Sequence, residues 1–75
     1  MRTTYDPAPL VLARIRAGLT QLALGKRLGF TPGSAKQEIW RLEHGRAGHQ
    51  FIARAARELG VNIEKVITDT QGESQ

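Results

Sequence analysis

At 75 residues the chain is one domain, close to the lower size limit for folding without staples, and with no cysteine it has no disulfide framework. Its formal net charge is +4 at pH 7, and the excess is concentrated: between Arg14 and Glu58 nine basic residues stand against three acidic ones, a net of +6. No apolar run approaches the ~20 residues of a membrane span; a basic body of this kind suits a polyanionic partner, and ordinary solubility charge is the other reading of the same balance.

Residues 1–8, MRTTYDPA, hold a proline and no periodicity and read as an N-terminal arm. From Pro9 to Ala17, Leu12 and Ile15 with Val11 mark one helical face, Pro9 sits in the first turn, and Gly18 ends the helix. Thr20 is an N-cap for a second helix, which carries Leu24 and Leu28 at i, i+4, has Leu19 as a staple before it and closes at Gly29. Gly25 lies inside this helix, where it costs ~1 kcal/mol relative to Ala. A helix tolerates that when another backbone must approach closely.

Thr31-Pro32 repeats the start signal, and a third helix is predicted to run to about Glu43, with Ala35, Ile39 and Leu42 inward. After Gly45 a short loop, RAGHQ, leads to a fourth helix that carries Phe51, Ile52, Ala55, Ala56 and Leu59 and is closed by Gly60. Val61, Ile63, Val66 and Ile67 predict a short fifth helix over the core. TDTQGESQ, residues 68–75, reads as a flexible acidic tail. The expected organisation is thus an arm (1–8), an all-α domain of five helices (9–67) and a tail (68–75).

Three stretches, GLTQLALGKRLGF, IWRLEHGR and ARELGVNIEKVI, together resemble the Cro/C1-type (Xre-like) helix-turn-helix domain over residues 10–67. The motifs are Leu-Thr-Gln opening the second helix, Leu-Gly closing it, Ile-x-x-Leu-Glu-x-Gly closing the third, and Leu-Gly-Val before the last. The resemblance implies the five-helix Cro/C1-repressor-like fold, with helix two crossing a DNA backbone and helix three lying in the major groove. It implies that Gly25 marks a tight crossing where Ala would also serve, so Gly25→Ala is expected to be mild. It also implies that Gln21 braces the phosphate backbone and the recognition helix. Fourteen positions separate Gly29 from Glu43, about one helical turn more than is usual in the family, and the loop after Gly45 is shorter and lacks the usual proline. Two registers for base contact therefore compete, one centred on Ser34 and the other on Lys36, Gln37 and Arg41.

A rotation of about 100° per residue turns Gly33, Gln37, Trp40, Arg41 and His44 outward when Ala35, Ile39 and Leu42 face in, with Ser34 and Lys36 on the flanks. Gln37 can pair with adenine N6/N7, and Arg41 or Lys36 with guanine O6/N7, which favours the second register. Arg46 and Lys26 (or Arg27) read as phosphate contacts, which position without specifying. Trp40, turned outward, has three open roles: stacking on sugar and backbone, covering the arm through Tyr5, or joining a dimer interface.

The expected function is a sequence-specific DNA-binding transcriptional regulator, a small repressor acting as a homodimer on a palindromic operator in double-stranded DNA. The alternative is an antitoxin or another protein-binding helix-turn-helix module, although residues 69–75 are short for wrapping a toxin. An enzyme is not expected, because there is no Cys, no Ser–His–acid grouping and no phosphate loop after a strand. No cofactor, small-molecule ligand or membrane contact is expected. Nor is a metal, since His44 and His49 are five apart across a Gly-rich loop. With no signal-peptide pattern at the start, the expected location is the cytoplasm, on the nucleoid.

Overall fold

The computed structural model describes residues 4–67. Among these the protein is all-helical: α1 (Ala8–Arg16), α2 (Gln21–Arg27), α3 (Pro32–Glu43), α4 (His49–Leu59) and a single 3-10 turn at Ile63–Lys65. The expected fifth helix is that turn. Asn62 caps it by accepting from the Glu64 N–H at 2.9 Å, and Val66 behind it is fully buried. Residues 61–67 thus supply core contacts with too few residues to propagate a helix. The tail expected at 68–75 lies outside the described residues.

The start and stop signals of α2 act as their chemistry dictates. The Thr20 hydroxyl accepts from the Ala23 N–H at 3.0 Å. At the far end Phe30 N–H bonds to the Gly25 carbonyl at 3.0 Å and Gly29 N–H to the Lys26 carbonyl at 3.1 Å, the paired closure that needs a left-handed residue at the corner. Gly29 supplies it with φ 96°. Arg54 adds a guanidinium hydrogen bond to the Leu28 carbonyl, a cation placed where the helix dipole is negative. Pro32 then starts α3. Its inner stripe of Ala35, Ile39 and Leu42 has no exposed surface, as the i, i+4, i+7 spacing predicts.

Leu10, Leu24, Ile39, Leu42, Ile52 and Val66 are the large side chains fully enclosed in the core, each contributing roughly 1.5–3 kcal/mol by leaving water. The rings of Phe30 and Phe51, 5.3 Å apart and tilted by 58°, pin the α2–α3 corner to α4.

Two expectations fail at the N-terminal end. Of the arm expected at 1–8, residues 1–3 lie outside the described residues and the rest is not simply an arm: α1 begins at Ala8, the Asp6 carboxylate accepts the Ala8 N–H at 3.0 Å, and Tyr5 is buried. Tyr5 pairs with Ile67 in an antiparallel bridge, Asp6 N–H bonds to the Val66 carbonyl at 2.7 Å, and the Tyr5 hydroxyl donates to the Leu42 carbonyl at 2.5 Å. This strap closes the bottom of the core. The inner face of α1 is also not Leu12 and Ile15, which are 50% and 58% exposed. Leu10 is buried instead, and Arg14, one turn on at i+4, turns inward to an ion pair described below.

Candidate nucleic-acid interface

Glu43, the last residue of α3, organises this surface. Its carboxylate accepts from Arg14 Nε at 2.6 Å, from Arg14 Nη2 at 3.3 Å and from Gln21 Nε2 at 3.0 Å, while Arg14 Nη1 donates to the Leu19 carbonyl at 2.8 Å. The two charged side chains are only 14% and 6% exposed. One acid thus ties α1, the entry to α2 and the end of α3 together. Gln21, half-buried, holds one amide hydrogen on Glu43 and keeps its carbonyl oxygen and second hydrogen for another partner.

The outer face of α3 is what the helical rotation predicts. Gly33, Lys36, Gln37, Trp40, Arg41 and His44 are all exposed, and the side chains of Lys36, Gln37 and Arg41 have no hydrogen-bond or ion-pair partner among the described residues. Gly33, Lys36, Gln37 and Trp40 together line one shallow cleft. Trp40 is 43% exposed and stacks on His44, ring centroids 3.8 Å apart and planes 18° from parallel. The His44 Nδ1 lies 2.8 Å from the Trp40 carbonyl oxygen. Trp40 therefore does not cover the N-terminal strap, whose Tyr5 hydroxyl reaches the Leu42 carbonyl instead.

Ser34 is placed differently. It is half-buried, and its hydroxyl lies 3.2 Å from that of Thr31 and 3.5 Å from the Thr31 carbonyl. Thr31 occupies the cap position of α3 but its side chain caps no backbone N–H, because that hydroxyl is turned to Ser34. Lys26 is exposed and lies on a separate depression of α2 with Thr20, Leu22, Ala23 and Arg27. Arg46 is exposed just past Gly45. The structure therefore brings together Lys36, Gln37 and Arg41, with Gln21 fixed through Glu43 near the helix end, while Lys26 and Arg46 stand apart as flanking cations.

Two features were not read from sequence. The Arg14–Glu43–Gln21 cluster has no sequence spacing to reveal it, since its members lie 29 and 22 positions apart. The Trp40–His44 stack was legible, because an aromatic pair at i, i+4 shares one helix face. Chemically, the α3 face offers two long cations, an amide able to donate and accept, and an aromatic plate. No group of three or more potential metal ligands occurs among the described residues, and no helix there is long and apolar enough to cross a membrane. No family model, curated protein or solved structure matches the chain.

Proposed function

We propose that this protein is a sequence-specific DNA-binding transcriptional regulator with a Cro/C1-type helix-turn-helix. In this reading α2 lies across the phosphate backbone and α3 in the major groove, a small repressor acting as a homodimer on a palindromic operator. One observation carries the reading: a helix with three fully buried inner residues presents an unpaired Lys36–Gln37–Arg41 stripe outward, on a chain segment of net charge +6. Gln and Arg or Lys are the side chains whose donors and acceptors match the major-groove edges of adenine and guanine. Gln21, Lys26 and Arg46 act on phosphates. The resemblance of the Leu-Thr-Gln, Leu-Gly and Leu-Glu-x-Gly motifs supports the same fold, with a 3-10 turn where the family has its fifth helix and about one extra turn between Gly29 and Glu43. The cytoplasm, on the nucleoid, is the location that follows.

The exposed Leu12 and Ile15 favour association of some kind. In the leading reading they serve the homodimer. They are also what a second reading, an antitoxin-like protein-binding module, would use. Salt separates the two. With about four to six phosphates contacted per protomer, the logarithm of the affinity for duplex DNA falls with the logarithm of salt concentration by about 0.9 per contact. Fluorescence anisotropy on a random 30-mer duplex between about 50 and 300 mM salt measures that slope. Undetectable binding at low salt, or a flat response, removes the DNA reading and leaves the protein-binding one.

A further inference from the structure

We propose that the cleft on α3 lined by Gly33, Lys36, Gln37 and Trp40 receives the C5-methyl group of a thymine, and that Trp40 is a specificity-determining residue for it. This rests on the reading of α3 as a major-groove helix and names what one part of that helix reads.

Trp40 is a large apolar side chain left 43% exposed on a helix whose other large apolar residues, Ile39 and Leu42, have no exposure. Its position is held: His44, one turn on, stacks on the indole at 3.8 Å and is itself tied to the Trp40 carbonyl at 2.8 Å. The indole lines the cleft, while Gly33, two turns back, leaves it open, since a Cβ there would meet nothing within 4 Å. The cleft is therefore an apolar recess with an amide and an ammonium at its rim, set in a surface whose surrounding charge attracts phosphate.

Major-groove chemistry has one group that fits such a recess. An A·T pair shows the adenine N7 and N6 hydrogen-bonding groups together with the thymine O4 and methyl, and only the methyl is apolar. Gln37 matches the adenine edge. Trp40 lies three residues on, about 4.5 Å along the helix axis, against a base-pair rise of about 3.4 Å. Gln37 and the Trp40 wall thus fall on the same or adjacent base pairs. A cytosine carries no C5-methyl group and would set a polar amino group against the same apolar wall.

The test begins with selection of duplexes from a random library by the full chain. The enriched duplex is then resynthesised with deoxyuridine at each thymine in turn, which removes a methyl and leaves every hydrogen-bonding group. One thymine per bound protomer should weaken binding about fourfold on losing its methyl, the effect of unburying one such group. In Trp40→Ala the same replacement should have no effect, while Trp40→Phe keeps part of the difference. As the only tryptophan in the chain, Trp40 should change its emission on the thymine duplex more than on the deoxyuridine one. The inference is overturned if deoxyuridine equals thymine at every position. It is also overturned if Trp40→Ala keeps the discrimination while weakening all DNA alike, the mark of stacking on sugar and phosphate, or if Trp40→Ala instead splits a dimer. Failure of any duplex to enrich, with no salt-dependent binding, is a different result and removes the DNA reading itself.

Discussion

Gly25 and Ala35 are in backbone contact: a Cβ built on Gly25 would lie 2.5 Å from the Ala35 carbonyl oxygen and 2.6 Å from the Ala35 Cβ. The α2–α3 crossing is closer than a small side chain permits, so the expectation that Gly25→Ala is mild does not hold. The substitution should destabilise by about 1–3 kcal/mol through overpacking, against a gain of up to ~1 kcal/mol in helix propensity. Adding Ala35→Gly removes the Cβ contact but not the carbonyl contact, so the double variant should recover only part of the loss. Urea midpoints of the three proteins decide this, and a Gly25→Ala midpoint above that of wild type, the sign of helix propensity acting alone, would show that the helices are not in contact there.

The Arg14–Glu43 pair should behave as a buried ion pair. Both side chains are largely enclosed, so removing one partner strands a charge and costs about 3–5 kcal/mol. Arg14→Leu should therefore unfold at much lower urea than wild type, and Arg14→Leu with Glu43→Leu should recover most of the difference. A cycle in which the double variant is as unstable as the sum of the singles would count against coupling.

Tyr5 gives a pH dependence with a defined sign. Burial pushes its hydroxyl above the ordinary 10.0 and outweighs the backbone of Ala47 and Gly45, which acts in the opposite direction. The folded state thus favours the neutral phenol. That stabilisation is complete below the unfolded value near 10 and is lost as pH rises through the higher folded value. Tyr5→Phe should remove this alkaline loss and cost about 0.5–1.5 kcal/mol near neutral pH, the worth of the hydrogen bond to the Leu42 carbonyl. Stability of both proteins measured from pH 8 to 11 tests it; identical alkaline slopes would mean that Tyr5 stays exposed in solution.

How much of this was legible follows from where each signal resides. The bounds of α2 and α3 were, because Thr20, Gly29 and Pro32 act within a few residues of themselves. The two faces of α3 were, because its stripe repeats over twelve residues. The face of α1 was not. In nine residues with Leu10, Val11, Leu12 and Ile15, two apolar stripes are available, and the choice is made by Arg14 reaching Glu43, 29 positions away. The burial of Tyr5 is illegible for the same reason, since its partners Leu42 and Ile67, and the Val66 carbonyl that holds the neighbouring Asp6, are remote in sequence. The α4 start at His49 rather than near Phe51 reflects a Gly48 cap position with no side-chain bond to announce it.

The register of base contact is the sharpest remaining prediction, and the structure bears on it through two side chains. Ser34 is half-buried with its hydroxyl engaged by Thr31, whereas Gln37 is exposed, on the stripe with Lys36 and Arg41. A hydroxyl already hydrogen-bonded must give up that bond to reach a base, so the longer, unpaired amide has the advantage. Gln37→Ala should cost roughly 1–3 kcal/mol on the selected site and relax preference at one base pair. Arg46→Ala should weaken selected and random duplexes about equally, since a phosphate contact carries no sequence information. Ser34→Ala should change neither the affinity by more than about twofold nor the preference profile, because a hydroxyl tied back to Thr31 has little to offer a base. Binding of each variant to the selected duplex and to a panel of single-base changes measures all three. If Ser34→Ala reshapes the profile while Gln37→Ala leaves it intact, the reading residues lie one turn nearer the start of α3, and the added turn before Glu43 extends the far end of the helix.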